Sequence, residues 1–136
     1  MDKHPDVHYL HLIIECAKLG YAVLTQEEAN SMIEVNKTYD LLPGIDRQAY
    51  VQIAQKGIKI LLQATGIVEL RANHNLLGSP QAHLTTIWDT LADWAKFAES
   101  AERQAIESEL LTFTTNINVE LWGPSQIVPE PLRPNK

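Results

Sequence analysis

The sequence QAHLTTIWDTLADWAKFAESAERQAIESELLTFTTNINVELW, residues 81–122, is the longest stretch of this chain without glycine or proline. Its apolar side chains recur every three or four residues, which is the spacing of one face of an α-helix. Ser79 and Pro80 precede it as an N-cap and a first-turn proline, so the pattern predicts one long helix that runs to about residue 112. Residues 113–119 are rich in β-branched side chains, and a frayed end, a break or a short strand is expected there. A break near residues 99–101 is left open as well.

Glycines, prolines and capping residues predict three more helices before this stretch. The first covers residues 7–20 and ends at a glycine. The second covers residues 25–42, from the capping box TQEE to a Pro-Gly pair. The third covers residues 46–66, from an N-cap aspartate to another glycine. Residues 67–77 (IVELRANHNLL) fit either a helical turn or a short extended segment.

Composition indicates one domain with an ordinary core. The 136 residues are 45% hydrophobic and 21% charged, a balance typical of a globular chain and not of a disordered one. The formal charge of −6 argues against a dedicated DNA-binding domain, which is usually basic. The single cysteine excludes an internal disulfide, and no apolar run is long enough for a membrane helix. We therefore expect a cytoplasmic protein that makes no membrane contact.

The four predicted helices decide the expected fold. Each carries one apolar stripe, and such stripes are buried only when the helices pack against one another. The sequence therefore predicts an all-α fold, a compact helical bundle of four main helices with a long C-terminal helix, over residues 1–122. Four of the seven prolines follow residue 122. Because proline fixes φ and removes a backbone donor, residues 123–136 are expected to form an extended Pro-rich tail.

No group of residues has the spacing of a catalytic site. Cys16 falls on the apolar half of its predicted helix, where a thiol behaves as a small hydrophobe. Asp89 and Asp93 share the polar face of the long helix, whereas acid–base catalysis needs a desolvated cleft. The six glycines are scattered singly and form no phosphate-binding loop. We expect no enzyme activity, no catalytic residue and no cofactor.

The third predicted helix carries a polar strip without acidic residues. Lysine and glutamine contact phosphates and sugars without reading base sequence, and an arginine in the following linker extends the strip. The expected contacts to a nucleic-acid backbone or a partner protein are Gln52, Lys56, Lys59, Gln63 and Arg71. Phe97 on the long helix and Trp122 beside the tail are predicted to anchor a partner interface, since aromatic residues often do so.

A second interpretation rests on four residues near the N-terminus. His4, His8, His11 and Glu15 are spaced so that a helix would place them on one stripe. Imidazole and carboxylate groups are ligands for zinc and other transition metals. The stripe also fits the solvated edge of an amphipathic helix, which is the favoured interpretation, so no metal site is predicted. A metal- or ligand-binding helical bundle that uses this stripe is the alternative function.

In length, helical character and lack of a catalytic group, residues 1–122 resemble the small subunits of CRISPR effector complexes. Those subunits are compact all-helical proteins that contact a nucleic-acid strand and neighbouring subunits without doing chemistry. The resemblance implies a non-enzymatic small subunit of a larger assembly in antiviral defence, with other protein subunits and a nucleic-acid backbone as partners. A stand-alone regulatory homodimer is a further alternative.

Overall fold

The computed structural model describes residues 30–135, and this part of the chain forms an antiparallel sheet of four strands with three helices. The strands lie in the order β2-β3-β1-β4, and every neighbouring pair is antiparallel. Two strand–helix–strand units thus interleave, with β1 and β3 in the centre and β2 and β4 at the edges. The elements are β1 (Ile33–Leu41), α1 (Arg47–Leu62), β2 (Ile67–His74), β3 (Ala82–Trp88), α2 (Leu91–Glu99), α3 (Ala101–Leu110) and β4 (Thr114–Trp122).

Alternation along β1 gives the sheet two different faces. Ile33 and Val35 are buried in the core, whereas Glu34 and Asn36 lie on the opposite, outer face. The second predicted helix is therefore wrong over residues 30–42, and its first five residues, 25–29, lie outside the described part of the chain. An apolar side chain at every second position buries one face only if the chain is extended, and β-branched and aromatic side chains favour that conformation.

The third predicted helix is confirmed as α1, because its end signals are local. Asp46 is the N-cap, and its Oδ1 accepts hydrogen bonds from the backbone N–H groups of Gln48 and Ala49, both at 3.1 Å. After α1 the chain turns at Gly66, which has a φ of +89°. The ambiguous segment that follows is the strand β2, the extended one of its two predicted alternatives.

The long helix predicted from Ser79 to about residue 112 is wrong, and its first part is the strand β3. The Ser79-Pro80 bond is a cis peptide in the loop before β3 and does not start a helix. Leu84, Thr86 and Trp88 alternate along β3, which lies between β2 and β1. The apolar residues of this short segment fit a period of two as well as a period of 3.6, so periodicity alone did not separate strand from helix.

The remainder of that stretch is two short helices followed by a strand. Thr90 caps α2 by accepting from the backbone N–H of Asp93 at 3.1 Å. Ser100 ends α2 and caps α3, accepting from the backbone N–H of Arg103 at 3.2 Å. The β-branched residues after α3 form β4, which is one of the three outcomes expected for them.

The all-α fold class is wrong for the described part of the chain. The apolar sides of the helices are buried against a sheet, so no helical bundle is needed to cover them. Residues 123–135 contain neither helix nor strand and are exposed, while the predicted domain boundary after residue 122 stays a prediction. None of the described helices has the length and hydropathy of a membrane span.

The core lies between the helices and the inner face of the sheet. Trp88 is completely buried at its centre, and its indole Nε1 donates to Thr86 Oγ1 at 2.8 Å. The indole N–H therefore has a hydrogen-bond partner although the ring is completely buried. The ring of Phe97 from α2 lies 5.3 Å from the Trp88 ring, centroid to centroid. The other buried core residues are Ile33, Val35, Leu61, Leu91, Trp94 and Ala98.

Asp40 joins three segments near the end of β1. Its carboxylate accepts from Ser79 Oγ at 2.6 Å, from the backbone N–H of Gln81 at 2.8 Å and from the side-chain amide of Asn116 at 3.0 Å. The hydrogen bonds from Ser79 and Asn116 hold the pKa of Asp40 below its ordinary value, because they favour the ionised carboxylate. The loop before β3 and the start of β4 are thereby held against β1.

Replacing Gly66 by alanine is expected to destabilise the fold through two effects. A φ of +89° is unfavourable for any residue with a Cβ, and a Cβ at this position collides with the carboxylate of Asp93. Gly44→Ala is the matched control, because Gly44 has a φ of +72° but open space around its Cβ position. We expect losses in unfolding free energy of about 2–3 kcal/mol for Gly66→Ala and about 1 kcal/mol for Gly44→Ala, measured by urea denaturation. Equal losses would contradict the collision.

Candidate ligand-binding site

A cavity of about 340 Å³ lies between the inner face of the sheet and the helices. One end of its wall is formed by the aromatic rings of Trp88, Trp94 and Phe97, and the other end contains Tyr39 and Tyr50. Strand β1 runs along the cavity from the first end to the second. A concave site of this volume, mostly apolar with a few polar groups, is typical of a small-molecule site.

Small residues keep the cavity open. Ala72 and Asn73 of the edge strand β2 line the cavity and are exposed, so it opens to solvent beside β2. On α1 the wall includes Gly57, where a Cβ would lie 3.1 Å from Cγ2 of Ile106 on α3. The two helices therefore approach closely at this point, and a larger side chain at position 57 would push them apart or narrow the cavity.

Three charged side chains meet in the cavity wall. Lys37 Nζ donates to both carboxylate oxygens of Glu107, at 2.6 and 2.7 Å, and Arg103 Nη2 donates to Glu107 Oε1 at 2.8 Å. The side chain of Glu107 is 4% exposed, and those of Lys37 and Arg103 are 18% and 15% exposed. A carboxylate so far from water is stable only when cations and hydrogen bonds replace its hydration. The ion pair between Lys37 and Glu107 also links β1 to α3 across the cavity wall.

Two tyrosines form the polar part of the other end. The hydroxyl oxygens of Tyr39 and Tyr50 lie 2.5 Å apart, and the ring of Tyr50 packs edge-on against Phe113. Burial raises the pKa of Tyr39 far above its ordinary value, and the hydrogen bond to Tyr50 and the negative charge of Glu107 raise it further. Tyr39 therefore stays a neutral phenol at physiological pH and acts there as a hydrogen-bond donor or acceptor.

The arrangement can hold a small molecule and orient it. Aromatic and aliphatic walls take up an apolar body, while the ammonium of Lys37 and the tyrosine hydroxyls offer hydrogen bonds at fixed positions. Titratable groups inside an otherwise apolar cavity are also the groups that general acid–base catalysis uses. Among residues 30–135 no cluster of three or more His, Cys, Asp or Glu side chains has the arrangement of a metal site.

The structure places the predicted polar strip away from this cavity. Lys56, Lys59 and Gln52 are exposed on α1, and Gln63 is exposed just after it. Arg71 lies on the outer face of the sheet, where it pairs with Glu69 at 2.8 Å and Glu34 at 3.6 Å. The helix residues and Arg71 are therefore on opposite sides of the sheet and do not form one continuous strip. Their contact with a nucleic acid or a partner stays a prediction.

The two predicted interface aromatics have different positions. Phe97 lines the cavity and packs against Trp88 but is only partly buried, and its role in a partner interface stays a prediction. Trp122 is 54% exposed at the end of β4, and its role in a partner interface stays a prediction. The histidine stripe of the metal-binding alternative, His4, His8, His11 and Glu15, lies outside the described residues.

Sequence reasoning missed the charged residues and the two tyrosines of the cavity wall, although one signal was present. In β1 the residues at positions 33, 35, 37 and 39 are Ile, Val, Lys and Tyr, so a lysine stands in the row that faces the core. Interpretation as a strand would have marked Lys37 as a buried cation in need of a carboxylate partner. Its partner Glu107 is 70 residues away, and no local pattern indicates it.

Comparison with models of known protein families gave no match, and comparison with curated proteins gave none. Among solved structures, SnoaB of Streptomyces nogalater, a cofactor-independent oxygenase, is similar with a TM-score of 0.60 and 9% identity, over 74% of this chain and 99% of that one. A dimeric protein of unknown function and ferredoxin-like fold from Bacteroides fragilis has a TM-score of 0.53 and 12% identity, over 68% of this chain and 95% of that one. A candidate antibiotic biosynthesis monooxygenase from Chloroflexus aurantiacus has a TM-score of 0.57 and 14% identity, over 70% of this chain and 94% of that one. At these identities the similarity shows a ferredoxin-like fold and nothing beyond it.

These neighbours correct the functional interpretation drawn from the sequence. The resemblance to small CRISPR subunits is wrong, since it rested on helical character and the chain has an α+β fold. The subunit function and the role in antiviral defence that it implied are wrong with it, and neither the metal-binding bundle nor the regulatory homodimer is supported. The expectation that the protein is not an enzyme is not confirmed, because the neighbours include an oxygenase.

Replacing Glu107 by glutamine is expected to destabilise the fold strongly. The change keeps the shape of the side chain but takes the buried carboxylate away from Lys37 and Arg103. Breaking such a buried cluster by removing one member should lower the unfolding free energy by about 2–4 kcal/mol, measured by urea denaturation. Glu109→Gln on the exposed side of the same helix is the control and should change it by no more than about 0.5 kcal/mol. A loss for Glu107→Gln as small as that of the control would show that the cluster does not stabilise the fold.

Proposed function

We propose that the protein binds a small, mostly apolar molecule with an aromatic ring in the cavity between the sheet and the helices. The observation that carries the proposal is the cavity itself, which is about 340 Å³ and opens to solvent beside β2. Concave sites of a few hundred Å³ with mostly apolar walls and a few polar groups are where proteins bind small molecules, and this supports a ligand here.

The wall supports an aromatic occupant in particular. Trp88, Trp94 and Phe97 offer ring faces and edges at one end, and Tyr39 and Tyr50 offer two more rings at the other. Aromatic rings attract one another in offset or edge-to-face geometry, beyond the burial of their area. The hydroxyl groups and the ammonium then give a ring-bearing ligand one orientation.

A second candidate function is oxidation of the bound molecule by dioxygen. SnoaB, which shares the fold, is named as a cofactor-independent oxygenase. In this chain the supporting observation is that a carboxylate and two phenols stand in the wall of an otherwise apolar cavity, where the carboxylate can accept a proton and the phenols can form hydrogen bonds to the substrate. A hydroquinone bound there could supply two electrons and two protons to dioxygen, which yields the quinone and hydrogen peroxide.

Filling the cavity should abolish binding. We expect 2-naphthol to bind the full-length protein with a dissociation constant of roughly 0.1–1 mM, in line with the affinity of ligands of this size, measured by isothermal titration calorimetry. Ala54→Phe places a ring in the cavity and should weaken binding at least tenfold. Ala105→Phe, at an exposed position on α3, is the matched control and should bind as the wild type does. Equal affinity of Ala54→Phe and the wild type would show that the ligand binds elsewhere.

Oxidation has its own test with the same variants. With naphthalene-1,4-diol as substrate, an oxygen electrode should record dioxygen uptake above the buffer rate for the wild type and for Ala105→Phe, but not for Ala54→Phe. Uptake at the buffer rate for the wild type would contradict the oxidation and leave the binding function standing.

A further inference from the structure

We infer that the ligand of this cavity is an aromatic anion, a carboxylate or a phenolate on a ring system, and that Lys37 is the residue that binds its charged oxygen. The inference rests on the proposed function and adds to it the charge of the ligand and the residue that selects it.

The position of Lys37 is the first step of the argument. It lies on the inner face of β1, in the row that begins with Ile33 and Val35, and the side chain is 18% exposed. Its cross-strand partners are Leu84 on β3 and Val119 on β4, both apolar. Burying a cation among apolar side chains has a desolvation cost that an apolar residue at the same position does not have. Interactions with anionic or polar groups must offset this cost.

The hydrogen-bonding capacity of Lys37 is the second step. An ammonium group has three N–H donors, and Nζ makes two hydrogen bonds, both to Glu107. Within residues 30–135 no protein acceptor takes the third. Because Lys37 lines the cavity, an acceptor on a bound molecule can take it.

The charge of the surrounding wall is the third step. Among the described residues of the lining, Lys37 and Arg103 are cations and Glu107 is the carboxylate, while Tyr39 is kept neutral by its raised pKa. Arg103 donates to the same carboxylate as Lys37, so the negative charge of Glu107 is shared between two cations. Arg103 and Glu107 make further contacts of their own, and the donor assigned to the ligand is therefore Lys37 alone. An ammonium favours an anionic oxygen over a neutral one and disfavours a second cation.

The ligand class can be tested with three compounds that share one ring system. Naphthalene-2-carboxylate is an anion at pH 7.5, naphthalene-2-carboxamide is its neutral analogue of the same shape, and naphthalen-2-ylmethylammonium is a cation. We expect the full-length wild type to bind the carboxylate about tenfold to a hundredfold more tightly than the carboxamide, as a charge-assisted hydrogen bond predicts, and to bind the ammonium compound most weakly. Isothermal titration calorimetry measures all three dissociation constants.

Variants of Lys37 assign the preference to that residue. Lys37→Met removes the charge and keeps the length of the side chain, so the carboxylate should lose its advantage while the affinity for the carboxamide stays within about threefold. Lys37→Arg keeps a cation and should retain part of the preference. Lys59→Met, on the exposed side of α1, is the matched control and should leave all three constants unchanged. Melting curves of every variant establish that it is folded, and the wild-type series stands by itself if Lys37→Met does not fold.

The outcomes separate the inference from the proposed function. If the three compounds bind the wild type equally well, or if the carboxamide binds most tightly, the inference is wrong and the cavity is still a binding site. If Lys37→Met is folded and keeps the preference for the carboxylate, the inference is wrong because another residue selects the anion. If none of the three compounds binds, the inference is wrong, and the proposed function fails with it when 2-naphthol does not bind either.

Discussion

The ion pair between Lys37 and Glu107 connects the two layers of this protein. Lys37 belongs to the central strand β1 and Glu107 to α3, and their contact crosses the wall of the cavity. Both side chains are mostly buried, and in that environment neither charge would be stable without the other. The sheet and α3 are therefore held in one relative position, and the polar side of the cavity depends on that position.

The cavity follows from how the two layers meet. At one end the completely buried ring of Trp88 closes the space between β3 and the helices. In the middle, Gly57 lets α1 approach α3 at Ile106, so the helices cover the sheet without filling the room beneath them. Near the mouth, Ala72 is too small to close the opening beside β2. The open space is thus produced by particular small residues on an otherwise packed frame, which is the arrangement expected of a site that admits a ligand.

The proteins that share this fold include one named as an oxygenase. Because their sequence identities to this chain are only 9–14%, the chemistry of this chain has to be inferred from its own residues. A ferredoxin-like sheet covered by helices supports many functions, since the fold provides a frame and the site provides the function. Here the site combines aromatic walls, two phenols and a lysine paired with a buried carboxylate. The proposed ligand, with a flat apolar body and one polar end, is inferred from these groups.

The sequence by itself determined the features that depend on neighbouring residues. The N-cap Asp46 and the turn at Gly66 predict the start and end region of α1, because a capping side chain and a left-handed glycine act within a few residues of their position. The β-branched residues before Trp122 likewise allowed the strand β4 as one outcome. Only the tertiary structure decided that residues 82–88 are a strand, because a short apolar segment fits either period until its neighbours choose one. It alone also brought Lys37 to Glu107 and Tyr39 to Tyr50, since contacts between separate layers of a fold leave no pattern in the local sequence.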